Sequence, residues 1–368
     1  MIRNIPPFRA DHVGSLLRPA SVKEARARRE RGEITADALR AVEDSAIERV
    51  IARQAEIGLR SATDGEFRRA MWHFDFLEHL DGVEPFRSDR GIAFQGGLET
   101  QAKGLRVTGK LGFSGHPMIE HFRFLRAHTR ATPKMTIPSP SVLHFRGGRS
   151  AISLDVYPHM EDFYRDLALA YRGAVEGFAD AGCRYLQLDE VNLAYLCDPE
   201  QRRLLSERGD DPERLPAIYA EMINTAIGSR PADMTITMHL CRGNFRSSWI
   251  AQGGYEPVAE MLFHQVGVDG YFLEFDTERA GGFEPLRLVP PNKTVVLGLV
   301  TSKKGALEPA AELARRIDKA AKFIDLRQLC LSPQCGFAST EEGNVLSEEE
   351  QWAKLGRIVE VARNVWGE

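Results

Sequence analysis

The chain has 368 residues, 43% hydrophobic and 27% charged, with 48 Lys and Arg against 52 Asp and Glu for a net charge of −4. That composition excludes a disordered chain and gives no electrostatic reason for a nucleic-acid partner. No apolar run approaches the roughly 20 residues of a membrane helix, and the first residues lack the apolar centre of a signal peptide, so the expected location is the cytoplasm.

In chain order, apolar or β-branched runs at 8–13, 59–63, 134–137, 184–188, 234–238, 270–273, 294–300 and 328–331 predict eight strands. Between the later ones, a period near 3.6 predicts helices over 161–181, 212–228, 257–266 and 306–324. Ser21…Glu24 and Ser347…Glu350 carry the capping-box spacing, and Gly182 reads as a helix stop. Eight strand–helix alternations in this length imply an α/β fold, a single (β/α)8 TIM barrel occupying residues 1–368 as one domain. Residues 82–115 fit no unit and read as an insertion after the second strand, with a hairpin over 105–113. Gly109, Gly112 and Gly115 have no helix pattern opening after them, as a phosphate loop would require.

In such barrels the chemistry sits just after the strands' C-terminal ends. Those positions hold Ser15, Asp64-Gly65-Glu66, Asp189-Glu190, His239-Leu240-Cys241, Glu274, Thr301 and Cys335. Residues two apart on extended backbone share a side, so His239 and Cys241 reach one ion together. With Glu274 and Cys335 they make a four-donor set of one imidazole, two thiolates and one carboxylate, which suits Zn2+ better than magnesium or calcium. The alternative is that the cysteines are ordinary packing residues. A zinc ion carrying two thiolates and a carboxylate is too electron-rich to activate water well. It holds a thiolate well, so thiol alkylation follows better than hydrolysis. Glu274, the weakest ligand, is the one an incoming thiol displaces.

The five cysteines, an odd number, describe no disulfide framework. Cys183, Cys197 and Cys330 read as structural. Glu66 and Asp189 are expected to bind the ammonium of an amino-acid substrate, whereas Glu190 reads as structural; the competing reading for these carboxylates is ion pairing to Arg60, Arg68 or Arg69. His12, His73 and His144 are possible proton carriers, against the competing reading of lone histidines as surface or hydrogen-bonded structural residues.

Residues 8–16, Asp64-Gly65-Glu66, 186–190, 237–241 and 332–336 resemble the catalytic-barrel motifs of cobalamin-independent methionine synthase, across nearly the whole chain. The resemblance implies zinc held by His239, Cys241, Glu274 and Cys335, homocysteine as the thiol, and a methyl donor such as 5-methyltetrahydrofolate. It also implies that Ser15, Glu66 and Asp189 bind the amino-acid part of homocysteine. The chain departs from the family on the donor side. It has no room for the second, N-terminal barrel of the full-length synthases; Thr301 stands at the position of the acid histidine; and His144-Phe145 stands where a tryptophan lies against folate. The resemblance is therefore to short, single-barrel relatives, and it does not name the donor. Two alternatives stay open: a zinc alkyltransferase acting on another thiol or an epoxide, and a zinc- or thiol-binding protein without turnover. Neither a nucleic acid nor a membrane is an expected partner, and a homo-oligomer stays open.

Overall fold

In the computed structural model, which describes residues 3–367, the strands in chain order are β1 (Ser61–Ala62), β2 (Asp81–Arg87), β3 (Ala93–Phe94), β4 (Leu98–Glu99), β5 (Lys103–Gly112), β6 (Thr132–Pro133), β7 (Met135–Pro138), β8 (Tyr185–Glu190), β9 (Thr235–Leu240), β10 (Gly270–Glu274), β11 (Thr294–Val300) and β12 (Leu329–Pro333). Strands β7 to β12 form a six-stranded parallel sheet in which each strand pairs with the next in sequence. Every residue of β8, β10, β11 and β12 is buried. Parallel strands are covered on both faces by their crossovers, which is why these segments read as near-continuous apolar runs. Helices Met160–Asp180, Leu215–Ile227, Glu256–Gln265 and Ala310–Ala320 fall within the predicted periodic stretches or extend one residue beyond them. The last is shortened at both ends, starting only after Pro309. Among the described residues, no helix is long and apolar enough to cross a membrane.

The first two expected strands are much reduced. Segment 8–13 contributes one parallel bridge, Ala10 to Leu331 on β12, with Asp11 N donating to Leu331 O at 3.0 Å. Of 59–63 only β1 remains, paired in parallel with β6. The cause is Asp11. Its carboxylate accepts from the amides of Phe8 (3.0 Å) and His12 (2.8 Å), capturing groups that a ladder would use. The same carboxylate accepts from Ser61 Oγ at 3.1 Å and Tyr185 Oη at 2.8 Å, and pairs with Lys134 Nζ at 3.4 Å. A buried polar plug thus joins four segments that the backbone ladder does not. Above it Val13, Phe272, Val296 and Cys330 form a small apolar cluster apart from the main core.

Residues 82–115 hold most of β2 and all of β3 to β5. The stretch 105–113 is not a hairpin in itself; it belongs largely to β5, whose antiparallel partner is β2. At that crossing Gly82 adopts φ +81°, and a Cβ there would stand 2.5 Å from Gly109 O. A helix does follow Gly115, contrary to expectation: Pro117–His128 buries Met118, Phe122 and Leu125 along one stripe. Its first turn is capped by the His116 ring, which accepts from Met118 N at 3.1 Å, and Gly109 and Gly112 lie in β5, so the glycines form no phosphate cradle. Of the two capping boxes, Ser347…Glu350 forms with both arms. Ser21…Glu24 does not, because its helix begins at Ala20 behind Pro19 and leaves Ser21 inside the first turn.

Candidate metal centre

His239 lies near the end of β9, and Cys241 follows it with its amide still on the ladder, donating to Glu190 O at 3.0 Å. The extended backbone therefore turns both side chains the same way. Glu274 is the last residue of β10, and Cys335 follows β12 by two residues. One donor atom from each of these four lies within 4.8 Å of every other, and all four residues are buried. The sequence-predicted ligand set thus comes together from three strand ends.

Each donor is oriented. His239 Nδ1 lies 3.3 Å from Phe272 O, so that nitrogen carries the proton, while Nε2 is buried with no hydrogen-bond partner. A deprotonated imidazole nitrogen held this way is the ligand form. Glu274 is fully buried; Oε1 accepts from Arg242 N at 2.9 Å and Oε2 from Arg279 at 3.1 Å. Burial pushes its carboxyl up, but Arg279, Lys303, Arg242 and His239 outweigh that and hold it below the usual range. The two sulfurs are 3.5 Å apart, far beyond the ~2.05 Å of a disulfide, and Cys241 Sγ also accepts from Gly243 N at 3.3 Å. Hydrogen bonding from Cys241 holds Cys335 toward thiolate, well below the ordinary thiol range. One imidazole nitrogen without a partner, two unlinked sulfurs and one anionic carboxylate make a donor set that fits zinc.

His239, Cys241 and Cys335 line a cavity of about 590 Å³, its mouth included, together with Ser15, Glu66 and Asp189. That volume falls in the range of small-molecule sites. Ser15 Oγ accepts weakly from Ala338 N at 3.4 Å. It is packed so closely on Gly336 that a Cβ there would stand 1.9 Å from it. Glu66 sits at φ +61°, its amide turned to Asp64 Oδ1 at 2.8 Å. Its Oε1 accepts from Thr136 at 2.7 Å, and its Oε2 is buried without a hydrogen bond, 3.6 Å from Arg69. Asp189 accepts from Gln187 at 2.7 Å, and burial pushes its carboxyl up to about 7. Glu190 is a separate matter: it accepts from Ser141 and from the amides of Asn192 and Leu193. Those bonds start the short helix Asn192–Tyr195, a structural role. Cys183, Cys197 and Cys330 are buried and unlinked.

The far wall of the cavity was not legible in the sequence. Trp72, His73, Ile92, Phe94, Arg146 and Tyr195 line it. His73 is buried with neither ring nitrogen hydrogen-bonded, and burial holds it neutral, well below the usual histidine range. Its ring packs against those of Trp72 and Phe74, with centroids 4.6 and 4.2 Å apart. By contrast His144 bonds Tyr219 at 2.8 Å and Tyr164 at 3.1 Å and is not on the wall. The indole of this cavity is that of Trp72, far in sequence from His144-Phe145. Thr301 is also off the wall, its amide on Glu308 at 2.8 Å.

Residues 132–364 match the family model described as the cobalamin-independent synthase catalytic domain. A Bacillus subtilis protein described as uncharacterized, YxjH, is 53% identical over 362 residues, covering 98% of this chain and 95% of the relative. A Listeria monocytogenes crystal structure of a putative vitamin-B12-independent methionine synthase is 44% identical, with a TM-score of 0.79 and full coverage of both chains. The fold also matches a B12-independent methionine synthase from Shewanella in complex with selenomethionine, at 20% identity, a TM-score of 0.71 and 97% coverage of each chain. On this evidence the chain belongs to the cobalamin-independent methionine synthase family.

Proposed function

We propose that the chain is a zinc-dependent S-methyltransferase that makes methionine from homocysteine. The observation that carries the reading is the meeting of His239, Cys241, Glu274 and Cys335 at the cavity that also holds Ser15, Glu66 and Asp189. When bound, zinc supplies a Lewis acid that lowers the pKa of an incoming thiol, about 8.5 in free cysteine, without quenching its nucleophilicity.

The chain's own residues do the rest. Asp189 and Glu66 accept the ammonium of the amino acid, using the Glu66 oxygen that has no hydrogen-bond donor within the protein. Ser15 bonds the carboxylate end, and Gly336 leaves room for it. Trp72, Phe94 and Ile92 exclude water from the donor half, which His73 lines as a neutral imidazole. The Shewanella protein's selenomethionine complex supports methionine as the product class. The reading includes closure of the sheet into a (β/α)8 barrel through the Asp11 plug, one domain over 1–368, and 82–115 as an insertion. Five free thiols suit a reducing cytoplasm.

The test is methylation of homocysteine by zinc-loaded protein, offered a folate, a corrinoid or another methyl donor. Cys241→Ser is expected to lose metal and activity together. Asp189→Ala is expected to raise the homocysteine KM with zinc retained. Full activity in zinc-free Cys241→Ser protein would end the proposal. A second reading, alkyl transfer to another thiol or from an epoxide, draws on Thr301, which leaves no histidine at that strand end; a thiol panel separates the two.

A further inference from the structure

Glu274 is the one member of the donor set that does not line the metal-site cavity; His239, Cys241 and Cys335 do. Its carboxylate is held by Arg279, which lies in the single turn Glu278–Ala280 after β10. Arg279 Nη2 donates to Glu274 Oε2 at 3.1 Å and also to Asp276 Oδ1 at 3.2 Å. One nitrogen is thus shared between two carboxylates whose side chains are 0% and 2% exposed. The neighbouring nitrogen, Nη1, is buried and has no hydrogen-bond partner. An arginine built only to pair two carboxylates would turn both arms of its fork to them; here one arm serves both and the other serves none. Three contacts fix Arg279 without help from Glu274. They are Asp276, the ring of Trp249 at 5.4 Å from the guanidinium carbon, and Gly253 N, which donates to Arg279 O at 2.9 Å.

We infer that Arg279 is a positioning residue that receives the Glu274 carboxylate when a substrate thiolate takes its place in the donor set. The exchange itself rests on the proposed function; the reception rests on the contacts of Arg279. A thiolate entering the set leaves the carboxylate's charge behind in a buried site, while the thiol proton goes to solvent. A buried carboxylate without a partner is strongly unfavourable. Arg279 already holds Oε2 and has Nη1 to offer the second oxygen, so the released carboxylate ends in a two-point ion pair. The other cations near Glu274 are committed elsewhere. Lys303 Nζ donates to Gly243 O, Asn244 Oδ1 and Ser248 O, and the Arg242 guanidinium to Gly253 O and Tyr255 Oη. Arg279 therefore sets how readily the carboxylate's position opens to a thiol.

The experiment loads the full chain with cobalt, a spectroscopic substitute for zinc, and titrates homocysteine and 2-mercaptoethanol into wild type, Arg279→Gln and Arg279→Lys. Chelator competition measures metal affinity, X-ray absorption counts the sulfur ligands, and thermal unfolding checks each fold. Wild type is expected to gain a third sulfur, beyond Cys241 and Cys335, when thiol is added. Arg279→Gln is expected to bind thiol about tenfold or more weakly, the scale of a lost hydrogen bond to a charged group, with metal affinity not weakened. Arg279→Lys keeps the charge but offers a single nitrogen in place of a fork, so its thiol affinity is expected to fall between. That variant decides the matter if Arg279→Gln does not fold. Thiol binding unchanged in the variants, or metal and thiol affinity lost in parallel, overturns the inference; homocysteine binding by the wild type would then leave the proposed function standing. A third sulfur from 2-mercaptoethanol but none from homocysteine, with the same dependence on Arg279, overturns the proposed function and leaves the inference in place. No third sulfur from either thiol in the wild type overturns both.

Discussion

Replacing Cys241 by alanine separates the metal's contribution to stability from that of the protein contacts. In metal-free protein the substitution removes the sulfur that accepts from Gly243 N at 3.3 Å and contacts Cys335 Sγ at 3.5 Å. A buried amide left without a partner costs about 1–3 kcal/mol, and that is the expected destabilisation in chelator. Zinc supplied at a hundredfold over its Kd stabilises a protein that binds it only when folded by about 2.7 kcal/mol. A site reduced to three donors at that concentration gains little. The gap between wild type and variant should therefore widen to roughly 4–6 kcal/mol when zinc replaces chelator. Thermal unfolding of both proteins, each in chelator and in zinc, measures the four corners of this cycle. A gap of the same size in both conditions would refute the placement of Cys241 in the metal site, whatever its absolute value.

Gly336→Ala places a Cβ 1.9 Å from Ser15 Oγ, so the serine must turn away. The homocysteine KM is expected to rise about tenfold, with a stability loss of about 1–3 kcal/mol and zinc content unchanged; an unaltered KM would remove Ser15 from substrate binding. His73→Phe keeps the apolar wall but deletes both ring nitrogens, so turnover should fall while zinc and homocysteine binding persist; equal kcat would return His73 to a packing role. Burial lowers His12, His116 and His144 to about 4, with Lys134 reinforcing the effect at His12. A base whose folded pKa is depressed stabilises the fold above its unfolded pKa, near 6.5, and that stability is lost as pH falls toward the folded value. Each such histidine should steepen the loss by about 1.4 kcal/mol per pH unit between roughly 6.5 and 4, measured by denaturant unfolding. A flat profile across pH 6 to 5 contradicts their burial as neutral rings.

The convergence of His239, Cys241, Glu274 and Cys335 was legible in the sequence because strand geometry is local. His239 and Cys241 share a side through period two, and Glu274 and Cys335 end apolar runs that only buried parallel strands produce. The first two strands were not legible in their true extent, since Asp11 diverts amides into side-chain bonds that no propensity describes. Identical capping spacings at Ser21 and Ser347 gave different outcomes because Pro19 sets the helix start two residues earlier than a Ser21 cap would. Helix Pro117–His128 carried a readable signal, proline at its first position and an apolar stripe, obscured by the glycines before it. The far wall of the metal-site cavity could not be read beyond His73, nor could a neighbouring cavity. Arg90 and Arg146 are distant in sequence, and only tertiary packing of residues 82–115 against the turn after Phe145 brings them to one cavity.

The most direct test of the central claim is elemental analysis of zinc in freshly purified protein, with Cys335→Ser prepared in parallel. About one zinc per wild-type chain, lost in the variant, is the predicted result. Wild-type protein that carries no zinc and takes none up when it is supplied would contradict the metal centre, and with it the methyl-transfer chemistry built upon it.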